Sequence, residues 1–105
     1  MIIAVLQLVP QTGKREAVVE ILRFAEDHVR REKDCLQCGV VEATGAAEIL
    51  YLEQWKTAKD LHAHIRSSLY LPILHAMELA SEAPTISFHE VSGTESMELI
   101  EALRN

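Results

Sequence analysis

The only tryptophan of the chain and two of its five histidines lie close together, in the segment EQWKTAKDLHAH. The histidines, His62 and His64, are two residues apart, and each imidazole could bind a metal ion or accept a proton near neutral pH. Trp55 could line a binding site, although closing one end of a core is the commoner role of so large a side chain. The segment therefore raises three interpretations, namely a metal site, a catalytic base or ordinary packing.

Helix geometry argues against a metal ion shared by His62 and His64. The run TAKD, residues 57–60, has the spacing of a capping box and predicts a helix over 57–66. Residues two apart on a helix point about 200° away from each other, so one ion cannot lie between these imidazoles. Each histidine instead lies at one edge of the predicted apolar stripe, and the spacing does not choose between them as a base. The stripe consists of Ala58, Leu61 and Ile65.

Three further residues have polar or reactive side chains at unusual positions. Gln7 lies in the apolar run MIIAVLQLVP, and a buried amide needs hydrogen-bond partners or a cavity that supplies them, so structural and substrate-binding roles are both open. Cys35 and Cys38 form a CxxC pair, but this pair leads into a predicted strand instead of opening a helix, and no second pair follows. We expect two small, partly buried thiols and no metal site.

Composition and charge exclude several classes of protein. A length of 105 residues matches a single domain, and 49% hydrophobic with 25% charged residues is typical of a globular protein. A formal net charge of −6, without a basic cluster, argues against nucleic acid and an anionic membrane as partners. The apolar N-terminal run is too short to span a bilayer and lacks the features of a secretory leader, so we expect a cytoplasmic protein with reduced thiols.

Hydrophobic periodicity predicts the order β-α-β-β-α-β followed by a tail helix. This order indicates an α+β protein, a ferredoxin-like sandwich in which both main helices cover one face of the sheet. The predicted elements are strand 2–9, helix 14–33 capped by Thr12, hairpin strands 38–43 and 48–55, helical segments 57–66 and 70–80, edge strand 83–91 and a short tail helix capped by Thr94. They divide the chain into a domain over residues 1–92 and a tail over 93–105.

The faces of the predicted sheet indicate a homodimer. The third strand presents Leu50 and Leu52 on one side and Tyr51 and Trp55 on the other, and the first strand is apolar on both sides. Two helices can cover only one face, so the other would expose a contiguous apolar surface larger than soluble monomers tolerate. We therefore expect a second copy to pack sheet to sheet, with the tail helix on its own domain or on the partner chain.

The strand ILYLEQW followed by KTAKDLHAH resembles the strand-to-helix signature of antibiotic biosynthesis monooxygenase (ABM) domains. In that signature a strand ends in Glu-x-Trp, a helix begins at a Ser or Thr two residues later, and a His follows the Trp by nine. Glu53, Trp55, Thr57 and His64 match these four positions. The resemblance covers roughly residues 1–92 and implies a dimeric α/β-barrel.

Relatives with known activity imply a cofactor-independent monooxygenase that inserts oxygen into an electron-rich aromatic, such as a quinol or an anthrone. The resemblance selects His64 over His62 as the base that removes the substrate proton. It makes Trp55 and Tyr51 candidates for the pocket wall or for proton handling, and Gln7 a candidate hydrogen-bond partner of the small aromatic substrate.

Two alternatives remain beside this interpretation. The first is a dimeric module of the same fold that binds a small ligand without turning it over, since a fold does not determine a function. The second is a haem-binding or haem-degrading enzyme, in which Gln7, His64 and His75 would occupy the positions of an Asn, a Trp and the haem-ligating His. Only the histidine type matches there, and with an offset of one residue, so we rank this alternative lower.

Overall fold

Four antiparallel strands form one sheet, with the first three helices on one of its faces. A computed structural model describes residues 1–104 of the chain. The strands are β1 (Ile2–Leu8), β2 (Cys35–Glu42), β3 (Ile49–Trp55) and β4 (Thr85–Glu90), and the helices are α1 (Arg15–Val29), α2 (Ala58–Arg66), α3 (Leu71–Glu78) and α4 (Met97–Arg104). The strand order β2-β3-β1-β4 confirms the predicted ferredoxin-like arrangement, with β1 in the centre and β4 at an edge.

Alternation along the strands decides which side chains enter the core. In β1 the even-numbered residues are buried beneath the helices, whereas the odd-numbered ones are half-buried on the opposite face. The same alternation holds in β3, where the odd-numbered residues face the helices. The core between sheet and helices includes Leu6, Leu8, Val18, Leu22, Val29, Ile49 and Ile73.

The first helix differs from its prediction at both ends. It begins at Arg15, and its N-cap position is Lys14, not Thr12. Gly13 precedes it with a φ of +80°, a conformation that favours glycine and that turns the chain between β1 and α1. The helix ends at Val29 because the apolar stripe ends there, and the next residues turn towards β2.

The capping of α2 was predicted correctly. The Oγ1 atom of Thr57 accepts a hydrogen bond from the backbone N–H of Asp60 at 3.2 Å, and the Thr57 hydroxyl donates to the Asp60 carboxylate at 2.6 Å. A short 3₁₀ turn over Ser68–Tyr70 leads into α3, which carries a proline, Pro72, in its first turn as expected.

The buried side of α2 differs from the predicted stripe. Leu61 and His64 are buried, whereas Ile65 is 36% exposed and His62 is exposed. The cause lies in β3, where the carboxylate of Glu53 faces α2. A buried carboxylate without donors would cost several kcal/mol, more than the roughly 1 kcal/mol lost by half-exposing an isoleucine, so the helix presents its histidine.

Two apolar surfaces remain uncovered within the chain. The open face of the sheet, opposite the helices, carries Ile3, Val5, Leu50 and Leu52 at half-exposed positions. None of the eight residues of α4 is buried, and its apolar side chains Met97, Ile100 and Leu103 are exposed. Within residues 1–104, every helix is too short or too polar to cross a membrane.

Candidate functional site

A buried carboxylate forms the centre of the candidate site. Glu53 is 2% exposed and accepts three side-chain hydrogen bonds. The Tyr51 hydroxyl donates to Oε2 at 2.7 Å, the Trp55 Nε1–H donates to Oε1 at 2.9 Å, and His64 Nε2 lies 3.0 Å from Oε2. Because a charge in the interior is tolerated only when donors surround it, these three side chains account for a carboxylate in the core.

Local structure explains how these side chains meet. Residues 51, 53 and 55 alternate along β3, so their side chains lie on the same face of the strand, beneath α2. Helix α2 begins only three residues after Trp55, and about 1.7 turns later it brings His64 over that face. The predicted candidates His64, Trp55 and Tyr51 are therefore brought together, although they come from two different elements.

Glu53 is a residue that the sequence interpretation did not place in the site. In the sequence, Glu53 was identified only as one position of the family signature. The signal that could have found it is its phase in β3, since a Glu that alternates with Tyr51 and Trp55 must share their face. An acidic residue on the buried face of a strand needs specific donors, and this requirement makes it a functional candidate.

The imidazole of His64 is held on three sides. Its ring stacks on Trp55 with centroids 4.7 Å apart and meets the edge of Tyr70 at 5.3 Å. When Nε2–H donates to Glu53, the neutral imidazole carries its lone pair on Nδ1. Among residues 1–104, this Nδ1 is the buried side-chain polar atom that has no hydrogen-bond partner. An acceptor without a donor is the feature that a substrate hydroxyl could complete.

The surrounding hydroxyl and thiol groups remain protonated near neutral pH. The Cys38 thiol lies 3.3 Å from the Tyr51 hydroxyl, and burial raises the pKa of Cys38 to about 12. Burial, and then the negative charge of Glu53, raises the pKa of Tyr70 to about 12 and that of Tyr51 as well. These groups therefore act as donors, while His64 Nδ1 provides an acceptor. We call Cys38, Tyr51, Glu53, Trp55 and His64 the Glu53 cluster.

A cavity of about 360 Å³ reaches the Glu53 cluster from outside. It lies between the turn that connects α1 to β2 and the outer side of α2, and Trp55 and His64 form part of its wall together with Ser67. On the other side of Glu53, the space beside Tyr51 and Tyr70 is only about 10 Å³, which is about the size of one water molecule. A ligand that contacts His64 would therefore use the larger cavity.

Other predicted candidates lie elsewhere. Gln7 is on the open face of the sheet and donates to the Glu48 carboxylate, so the sheet separates it from His64. His75 is exposed in a groove between α1 and α3. The three positions of the haem alternative are thus not brought together. Within residues 1–104, the His, Cys, Asp and Glu side chains form no group of three or more that could hold a metal ion.

Comparison with known proteins identifies the family of the chain. The model of the antibiotic biosynthesis monooxygenase family matches residues 1–74, which include the whole Glu53 cluster. The chain belongs to the antibiotic biosynthesis monooxygenase (ABM) family. The resemblance inferred from Glu53, Trp55, Thr57 and His64 is thereby confirmed. No curated protein is significantly similar to the chain.

Several solved structures share the fold of the chain at low sequence identity. Rv0793 from Mycobacterium tuberculosis superposes with a TM-score of 0.81 at 19% identity, over 90% of this chain and 98% of that one. A Nitrosomonas europaea protein that carries the family name gives 0.78 at 20%, over 89% and 100%. A Bacteroides thetaiotaomicron protein of unknown function, described as a possible oxidoreductase, gives 0.78 at 18%, over 86% and 96%. At such identities the similarity establishes the fold.

Proposed function

We propose that this ABM-family protein is a cofactor-independent monooxygenase that acts on an electron-rich aromatic, such as a quinol or an anthrone. The observation that carries the proposal is the pairing of His64 with Glu53, which leaves a buried Nδ1 without a partner next to a cavity. A histidine whose one nitrogen is held by a carboxylate and whose other nitrogen is free has the arrangement of a general base.

The chemistry follows from this arrangement. A substrate hydroxyl, or the acidic methylene of an anthrone, gives its proton to His64 Nδ1, and the carboxylate of Glu53 stabilises the resulting imidazolium. The substrate anion is then electron-rich enough to react with dioxygen itself. For an anthrone, the methylene carbon loses two hydrogens and gains one oxygen atom, and the second oxygen atom leaves as water.

The other members of the Glu53 cluster support this reaction without taking part in the proton transfer. Trp55 stacks on the imidazole and forms part of the cavity wall, so a planar substrate could lie against it. Tyr51 donates to Glu53 and is better understood as a positioning residue than as a substrate contact. Gln7 is left out of the proposed site because it lies on the opposite face of the sheet. We also propose a cytoplasmic homodimer that is joined through the open sheet face.

Oxygen consumption with a panel of quinols and anthrones tests the proposal. His64→Ala should lower the rate about a hundredfold to ten-thousandfold, the usual contribution of a general base. His62→Ala is the matched control, because His62 is exposed on the same helix and should leave the rate unchanged. Oxygen uptake no faster than the uncatalysed reaction for every substrate, or equal rates in the two variants, would contradict the proposal.

The non-catalytic binding module remains the second candidate, favoured by one observation. The Nδ1 atom of His64 is enclosed, and the space beyond Glu53 is only about 10 Å³. A substrate in the larger cavity therefore reaches this atom only if the side chains around His64 move. If the aromatic compounds change the fluorescence of Trp55 but no oxygen is consumed, the binding module is the better account.

A further inference from the structure

The cavity beside His64 has a wall of unusual charge. Three carboxylates line it together with one positively charged residue, Lys33. All three acidic side chains are half-buried, so solvent screens their charge less than that of a fully exposed group. Among residues 1–104, none of the three takes part in a salt bridge. The three acidic residues are Glu32, Asp34 and Asp60.

This acidic wall is held in place by the fold. The backbone carbonyl of Asp34 accepts a hydrogen bond from Lys56 N–H at 3.0 Å, and that of Glu32 accepts one from Cys35 N–H at 3.1 Å. The turn between α1 and β2 is thus tied to the end of β3, and the carboxylate of Asp60 is held by the Thr57 hydroxyl. The backbone that carries the acidic wall is therefore fixed before a ligand arrives.

A second observation, at His64, supports a ligand site beside the acidic wall. His64 is 3% exposed and lines the same cavity, and its Nδ1 has no partner. The carboxylate of Glu53, directly behind the imidazole ring, adds negative charge at the inner end. A volume of about 360 Å³ lies at the lower end of the range for small-ligand sites, which suits a small aromatic ligand.

We propose that this cavity is the substrate-binding site and that its charge selects uncharged or cationic phenols over aromatics that carry a carboxylate. The proposal rests on the proposed function, because it assumes that the ligand of His64 is an acidic phenol or anthrone. An anionic substituent next to Asp34 and Glu32 is repelled, whereas the phenolic hydroxyl of a neutral ligand can donate to His64 Nδ1. Deprotonation then occurs only after the neutral ligand has been bound.

Two matched quinols test the charge selection. Methyl 2,5-dihydroxybenzoate and 2,5-dihydroxybenzoate share the quinol ring, and the methyl group of the ester removes the negative charge of the acid. Binding can be followed by intrinsic fluorescence, because the chain has one tryptophan, Trp55, and this residue lines the cavity. We expect the ester to bind about tenfold more tightly than the acid at low salt, and the difference to shrink strongly in 1 M salt.

Substitutions that change the charge of the acidic wall test whether the wall causes the preference for the ester. Asp34→Asn should reduce the ester-to-acid ratio about threefold, and Lys33→Gln should increase it by a similar factor. Glu20→Gln is the matched control, because it removes one negative charge from the groove between α1 and α3 and should leave the ratio unchanged. An ester-to-acid ratio near one in the wild type, or equal ratios in Asp34→Asn and Glu20→Gln, would overturn the proposal.

Oxygen uptake measured with the same two quinols separates this inference from the proposed function. If the ester binds selectively but no oxygen is consumed, the charge-selective site stands and the monooxygenase proposal fails. If oxygen is consumed equally with ester and acid, the monooxygenase proposal stands and the charge selection fails.

Discussion

At the scale of single residues, the site depends on how one carboxylate is neutralised. Glu53 lies in the core and receives donors from Tyr51, Trp55 and His64, all within 3.0 Å. Hydrogen bonds to a charged group are stronger than those between neutral groups. Each bond therefore also fixes the orientation of the side chain that donates it. Glu53 therefore both satisfies its own charge and orients the imidazole, and a change at this position should affect stability and activity together.

Glu53→Gln should destabilise the protein by about 2–3 kcal/mol. The amide has one acceptor oxygen instead of two, and its N–H₂ group would face donors that point at it. Urea unfolding followed by far-UV circular dichroism measures the loss. Glu82→Gln, at an exposed position, is the control and should change the free energy of unfolding by at most about 0.5 kcal/mol. Equal stability of the two variants would show that the buried carboxylate does not need its charge.

The Cys38 thiol should make the protein less stable at high pH. Burial raises its pKa from 9.0 to about 12, so the folded state keeps the proton while the unfolded state loses it. The contribution of this thiol to the free energy of unfolding is fully present below pH 9 and is lost as the pH rises towards 12. We expect the free energy of unfolding in urea, with a reducing agent present, to fall between pH 9 and 10.5.

Cys38→Ala is the control for this pH dependence, since it removes the thiol and keeps Tyr51 and Tyr70. Burial raises the pKa of both tyrosines, so they contribute in the same direction in both proteins. The decline should be shallower in Cys38→Ala than in the wild type. Identical slopes would mean that the buried thiol does not titrate as described.

At the scale of secondary structure, α2 is the element that completes the site. It is nine residues long, and such a short helix depends on its cap and on tertiary packing. Thr57 supplies the cap, and His64 supplies a buried contact with β3. The same residues that begin and anchor the helix therefore also position the candidate base.

Thr57→Ala should lower the free energy of unfolding by about 1 kcal/mol, because the Asp60 N–H loses its side-chain acceptor. The urea midpoint should fall with an unchanged m-value. Thr44→Ala, in the exposed connection between β2 and β3, is the matched control and should be nearly neutral. If both variants unfold at the same urea concentration, the cap does not hold α2.

At the scale of the whole molecule, the chain leaves apolar surface that a partner could cover. Its radius of gyration is 15.5 Å, compared with about 13 Å for a compact chain of this length, and its longest dimension is 50 Å. The half-exposed positions of Val5 and Leu52 are neighbours across β1 and β3 on the open face. We propose that a second copy covers this face and that α4 extends towards this second copy.

Leu52→Lys should convert a dimer into a monomer, since it places a charge in the middle of the proposed interface. Size-exclusion chromatography with light scattering measures the mass directly. Leu71→Lys is the control, because Leu71 is 62% exposed on the outer surface and should leave the mass unchanged. A wild-type protein that elutes as a monomer at micromolar concentration would contradict the proposed dimer.

Much of the fold could be predicted because local patterns agree with it. The alternation in β1 and β3 and the cap at Thr57 each specify one element, and the β-α-β-β-α-β order leaves few topologies. The start of α1 was less predictable. Both Thr12 and Lys14 could precede a helix, and the turn at Gly13 decides between them.

The amino-acid sequence by itself determined the α+β class, the ferredoxin-like order of elements and membership of the ABM family, because these depend on periodicity and on residues within one short segment. Only the tertiary structure decided that Glu53 is the centre of the site, that His64 is buried and that Gln7 lies apart. The physical reason is that a charge buried in β3 selects the face that α2 presents. No periodicity within α2 contains that information.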